Sequence, residues 1–444
     1  MSQRIVVIGG GFAGLQAVRK LAKTGAQITL IDKNNYSLFQ PFLYQVATSI
    51  LSGEQIGVPF RTIFRKYPNV ETFMAEVKGI DLKNKKVVLP YTDIPYDYLL
   101  VASGVQYNYF GRPDWKHFAP SLKSVDDANY LRARILGALE KAESETDPNE
   151  VHRYMTMVLV GGGPTGVEMA GTLAAITRLR MIRDFRHIKP ELTRIILLEA
   201  SPQILKGFRS PLPEKSKAFL ESRGVEVRTN CRVTEVDEHG VCIEGERIEA
   251  KTVIWTAGVE VPNLGEWLQV PTDRVGRVKV ESNLSIPGYK NVFVLGDAAY
   301  FEQKGEPLPG VAQVAIQQGK YVAEVIRAQL NGKTFDRPFH YFNKGNMAAI
   351  GKMYAIADLP WIRLSGHVAW LIWGFVHVVY NFNLKNRISV VFNWIWTLFS
   401  RTTTVRLLSS TSTPYQLEDE SPQDRLETEA TKQDEKNEKN QKAS

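Results

Sequence analysis

The chain has almost no cysteine: Cys231 and Cys242 are the only two among 444 residues. That excludes a disulfide scaffold and any four-thiolate cluster, and the ten residues between them do not make a Cys-x-x-Cys redox pair. Long apolar runs are missing too. No window offers the roughly 18–20 clean apolar residues of a bilayer-spanning helix. The N-terminal run Ile5–Ile8 is too short for a secretory core, so no signal peptide is expected. Histidine is sparse, and His367 and His377 have no further ligands near them in sequence, so no metal site is expected. An ordinary share of apolar (44%) and charged (23%) residues excludes collagen, long coiled coils and wholesale disorder.

Acid is absent from Leu359 to Leu417, while nine acids and five bases crowd the residues beyond. The formal charge of +8 therefore splits into +12 for residues 1–417 and −4 for the tail. Such a body fits an anionic partner, whether nucleic acid, a phosphorylated cofactor or an acidic membrane face.

Two segments repeat one pattern. Residues 5–32 read as an apolar strand, a glycine turn Gly9-x-Gly11-x-x-Gly14, an Ala/Leu-rich helix and a strand ending in Asp32. Residues 157–200 repeat it with Gly161-x-Gly163-x-x-Gly166 and Glu199, after an insertion of about residues 177–193 carrying Arg178, Arg180, Arg183 and Arg186. The first glycine permits the tight turn, the second lets backbone approach a pyrophosphate, and the third lets helix and strand pack. The helix N-terminus offers free N–H groups to phosphate, and the acid accepts from a ribose diol. Two units imply two dinucleotides. A carboxylate at Glu199 repels a 2′-phosphate and so favours NADH over NADPH. The helix Val125–Glu143 is expected to be capped by Ser124 or Asp126, and a polar linker is expected over 144–150.

With these motifs in place, the chain resembles the two-dinucleotide-binding flavoproteins. Leu99–Gly104, Val253–Gly258 and Val292–Ala299 look like three further marks of that superfamily. The resemblance implies that Lys33, Ala102, Gly104, Gly296, Asp297 and Gly258 join the cofactor contacts, with Asp297 on the ribityl chain of FAD. Over nearly residues 1–407 the chain resembles the type II NADH:quinone oxidoreductases. Asn35–Ala47, Gly162–Glu168, Ala312–Gly319, Val376-His377 and Asn386-Arg387 carry the likeness. The family commonly has His where Ser37 stands. The implied catalytic residues are Glu168 at the flavin–nicotinamide contact and Gln313 and Gln317, four apart on one helix face, at the quinone. Neutral amides can donate to a quinone carbonyl or accept from a quinol hydroxyl.

The expected fold is α/β, with two Rossmann-like domains for FAD and NADH plus a C-terminal membrane-associating α/β segment. The boundaries run 1–120 (FAD), 121–149 (linker helix), 150–279 (NADH), 280–330 (FAD again), 331–408 (C-terminal domain) and 409–444 (disordered charged tail). Five of the eight tryptophans fall in 361–396. Val368–Tyr380 would make a helix of roughly 20 Å, too short for a ~30 Å hydrocarbon core. Residues 361–406 are therefore expected to lie in the interface of an anionic leaflet, or against a second copy in a homodimer. The expected activity is non-pumping NADH oxidation by a peripheral protein on the cytoplasmic side, with a membrane quinone as acceptor and no nucleic acid partner. A sulfide:quinone oxidoreductase-like protein and a membrane-docked nucleotide sensor are the alternatives.

Overall fold

The computed structural model describes residues 3–179, 184–400 and 405–408. Strand Arg4–Ile8 is β-branched and buried after its first residue, as a strand covered on both faces must be. It sits inside a six-stranded sheet ordered Ser285–Ile286, Tyr289–Val294, Tyr98–Val101, Arg4–Ile8, Gln27–Asp32, Val70–Met74. Only the first pair is antiparallel. Strand Thr156–Val160, buried throughout, is central in a four-stranded parallel sheet: Val225–Arg228, Arg194–Leu198, Thr156–Val160, Thr252–Trp255. In the six-stranded sheet, the connections leave the glycine-bearing strand and its neighbour Tyr98–Val101 in opposite directions, and in the four-stranded sheet Thr252–Trp255 closes the edge beside the glycine-bearing strand. That opens a crevice at the strands' carboxyl ends, where ligands bind in such sheets.

The helix over residues 125–144, read from sequence as a connector, belongs to the core. Leu131, Ile135 and Leu139 are buried with Tyr44, Met157 and Leu173. Its start is a capping box: Ser124 Oγ accepts from Asp127 N at 3.0 Å, and the Asp127 carboxylate accepts from Ser124 N at 2.8 Å. The expected polar linker is shorter than its sequence implied, because Asp147 caps a new helix, Pro148–Met155. Arg180, Arg183 and the tail from 409 lie outside the described residues.

Past residue 345 a three-stranded antiparallel sheet forms (Asn346–Gly351, Tyr354–Asp358, Arg363–Gly366), followed by helices His367–Tyr380 and Leu384–Ser400. Gly171 brings this sheet onto the helix Pro164–Leu179: a Cβ there would meet Ile350 O at 1.6 Å. The helix pair is fastened to residues 45–57 by uncharged groups. Trp394 Nε1 donates to Gln45 Oε1 at 2.7 Å, Asn393 Nδ2 to Gln55 Oε1 at 2.9 Å and Asn386 Nδ2 to Gly57 O at 3.3 Å. No helix among the described residues is long and apolar enough to cross a membrane.

Candidate active site

One cavity of about 1680 Å³ joins the two sheets' carboxyl ends to the C-terminal helices. Gly9, Gly11, Asp32, Lys33, Ala102, Gly104, Gly296 and Asp297 line it from the first domain, Gly163 and Glu168 from the second. Gln313 lines it from the helix Ala312–Leu330, and Val376, His377 and Tyr380 from the C-terminal segment. The remaining glycines of the motifs work behind this wall. A Cβ on Gly14 would lie 1.9 Å from Gly9 O, and one on Gly166 1.9 Å from Gly161 O. Gly161 (φ +113°) and Gly258 (φ +67°) take backbone conformations that a side chain resists. Gly11 has open space at its Cβ position, which leaves its backbone bare toward the cavity.

The two acids act alike. Asp32 accepts from Gly10 N at 2.7 Å and Asn34 N at 2.8 Å; Glu199 accepts from Gly162 N at 2.6 Å and Ser201 N at 2.7 Å. Each therefore braces its glycine turn, and each oxygen keeps further lone pairs for a ligand. Burial pushes the Asp32 carboxyl up, opposed by those two N–H groups and Lys33. Glu199 itself stands outside the cavity wall. Asp297 accepts no hydrogen bond from the described residues although burial pushes its carboxyl up, with Lys123 and Arg277 opposing. A half-buried acceptor open to the cavity, beside a turn of bare backbone N–H groups, fits the ribityl hydroxyls and pyrophosphate of FAD.

Glu168 follows Gly166 on the helix held close by Gly171. Its Oε1 accepts from Ala349 N at 3.2 Å, and desolvation pushes its carboxyl up to about 8. Tyr44 stands near it: the Glu168 charge helps to raise the Tyr44 phenol, whose dominant cause is burial. Gln313 keeps a buried Oε1 without a hydrogen bond. Gln317 is placed differently from its expected task. It is off the cavity wall, and its amide clasps the backbone of Phe342 through two bonds of 2.9 Å.

Sequence reasoning missed three positions. Gln318 accepts from Gly296 N at 2.6 Å and so sets the flavin-motif turn. Ser37 donates to Gly10 O at 3.0 Å, so its buried hydroxyl ties the following segment to the first glycine turn. Lys123 lines the cavity with its ammonium 5.5 Å from the Tyr107 ring centre. Two of them left a trace in sequence: Ser37 as a departure from the residue common in the family it resembles, and Gln318 as a third polar residue in a tightly packed helix.

Twin glycine turns facing one cavity define a dinucleotide-handling oxidoreductase. Residues 3–319 match the pyridine nucleotide-disulphide oxidoreductase family and residues 343–402 the NDH2 C-terminal domain. The chain belongs to the type II NADH:quinone oxidoreductases. It is 43% identical over 412 residues to the type II NADH:quinone oxidoreductase Ndh of Mycobacterium tuberculosis, covering 89% of this chain and 88% of that protein. It is 34% identical over 362 residues to a Staphylococcus aureus enzyme of the same name, covering 79% and 88%. The structure of NDH2 from Plasmodium falciparum in complex with NADH shares the fold, with TM-score 0.84 at 20% identity over 91% of this chain and all of that one. The sulfide:quinone oxidoreductase of Aquifex aeolicus superposes less well, with TM-score 0.70 at 18% identity over 90% of this chain and 96% of that one. Neither Cys231 nor Cys242 lines the cavity, so the sulfide alternative has no thiol where it needs one.

Proposed function

We propose that this chain oxidises NADH and reduces a membrane quinone through one FAD, in the single cavity that both glycine turns, Glu168 and Gln313 share. That shared cavity is the observation that carries the reading. Bound FAD supplies reversible acceptance of an electron pair, which links a hydride donor to a quinone. The chain supplies position and electrostatics. Gly9, Gly11 and the N-terminus of helix Phe12–Leu21 would hold the FAD pyrophosphate, Asp32 a ribose and Asp297 the ribityl chain. Gly163 with the start of helix Pro164–Leu179 would hold the NADH pyrophosphate. Glu199, bracing that turn, would accept from the adenosine ribose and turn away a 2′-phosphate.

Glu168, protonated through neutral pH, keeps a proton between the nucleotide turn and the C-terminal sheet. Gln313 offers an amide N–H to a quinone carbonyl. Gln317, holding Phe342, is a positioning residue for that wall. Residues 361–406 would rest on an anionic leaflet at the cytoplasmic side, with homodimerisation through the same helices as a second use of that surface. No proton pumping belongs to this reading.

Stopped-flow flavin absorbance tests it in two stages, reduction by NADH and reoxidation by a short-chain naphthoquinone. Gln313→Leu should slow reoxidation at least tenfold more than reduction; equal effects on both stages would refute the assignment. Running the first stage with NADPH reads the Glu199 role, since Glu199→Ala should narrow the preference.

A further inference from the structure

The imidazole of His377 stands half-buried on the cavity wall. It rides on helix His367–Tyr380, with Nδ1 2.7 Å from the Trp373 carbonyl oxygen one turn earlier. A carbonyl oxygen only accepts, so Nδ1 carries a proton. The ring is caged by aromatic neighbours. Trp373 stacks on it at 4.7 Å between centroids, with Phe42 at 6.0 Å and Phe39 at 6.2 Å. Burial holds its pKa down at about 4, so the ring is neutral at physiological pH. In a neutral ring with Nδ1 protonated, Nε2 is a bare acceptor. It receives no hydrogen bond from the described residues, although His377 lines the cavity. The same cage ties the ring to the FAD turn: Phe39 lies between His377 and Phe12, with Phe12 at 6.0 Å directly after Gly11.

We infer that Nε2 of His377 accepts a hydrogen bond from the hydroxyl of the reduced quinone, so that this wall recognises product chemistry. The inference rests on the quinone entering this cavity. A quinone oxygen is a carbonyl and offers Nε2 only a lone pair against a lone pair. In the overall reaction NADH, one proton and the quinone become NAD⁺ and the quinol. The oxygen that has gained a proton then becomes a hydroxyl donor, which Nε2 can receive. His377 neither gives nor keeps a proton in that balance. Gln313 complements it, since its amide N–H can donate to the carbonyl before reduction. Oxidised and reduced substrate thus meet different groups on one wall, and reduction gains a bond that the starting quinone lacks.

The test uses two redox-silent ring systems that differ at one oxygen, 1-naphthol and 1-methoxynaphthalene. Their dissociation constants on the full-chain, FAD-loaded protein are read by calorimetry. The native protein should favour naphthol roughly 3- to 10-fold, the worth of one neutral hydrogen bond. His377→Phe keeps a flat ring in the cage and should bring the two constants together. His377→Gln, which offers an acceptor oxygen, should restore part of the preference. A native protein without preference, or a His377→Phe protein that retains it, overturns the inference. Should His377→Phe not fold, the native ratio and the Gln variant still decide. Failure of the underlying reading shows separately, as absent NADH-dependent quinone reduction by the native protein.

Discussion

Glu168 keeps its proton because one backbone N–H at 3.2 Å does not compensate the water it has lost. An unfolded glutamate titrates near 4.3, whereas Glu168 titrates near 8 in the fold. Between those values the folded chain holds a proton that the unfolded chain has released, so folding weakens as pH rises through that window and levels off above it. Glu168→Gln removes the dependence. The melting temperature of the variant should gain on that of the native holoenzyme from about pH 5 to pH 8, then run parallel. A constant gap over that range would contradict the raised carboxyl. At this scale much was legible: Gly9, Gly11, Asp32, Gly163 and Glu199 announce themselves because turn, helix and acid are close in sequence. Ser37, Gln318 and the cage around His377 were not, because their partners are fixed only when distant segments meet. Gln317 illustrates the converse. Helical spacing puts it on the same face as Gln313, but spacing does not say that Phe342 would occupy its amide.

Among elements, the decisive crossing is between helix Pro164–Leu179 and strand Asn346–Gly351. Gly171 sits where only hydrogen fits, and one turn earlier the same helix presents Glu168 to Ala349. Helix Ala312–Leu330 is held in the same way against helix Phe12–Leu21, where a Cβ on Gly319 would meet Ala13 O at 2.2 Å. Both close approaches involve backbone oxygen, which cannot rotate aside as a side chain can. Gly171→Ala should therefore destabilise the protein by about 1–3 kcal/mol, as overpacking does. It should also move Ala349 away from Glu168. Thermal melting reads the first effect and the pH profile of quinone reduction the second; an alanine variant that melts with the native protein would show that the sheet can retreat without cost. Both glycines are visible in the sequence, yet nothing local marks them as contact points, since each obstacle belongs to another part of the chain.

At the scale of the molecule, the C-terminal helices bury one side and leave the other apolar. Trp373 and Val390 are in the core, while Leu371, Phe375, Ile388 and Phe392 are all at least 60% exposed. An interval of four residues puts each pair of side chains in a stripe along its helix. Such a surface is too extensive for an isolated soluble protein to leave wet. Leu371→Glu, Phe375→Glu and Phe392→Glu together should release the protein from anionic vesicles in a sedimentation assay while leaving flavin content unchanged. Pelleting at native levels would dismiss the lipid-facing role. Deleting the helices is the weaker experiment, because it would also uncover the core around Trp373.

The joint between these helices and residues 45–57 is made by amides, an indole, the Ser389 hydroxyl and backbone carbonyls, with no opposed charges among the bonds that Trp394, Asn393, Asn386 and Ser389 make. Counter-ions crowding a lipid headgroup layer have nothing there to screen. The platform should keep its tilt as ionic strength and surface acidity vary, so that conditions at the bilayer alter how firmly the protein sits without altering where its redox centre points.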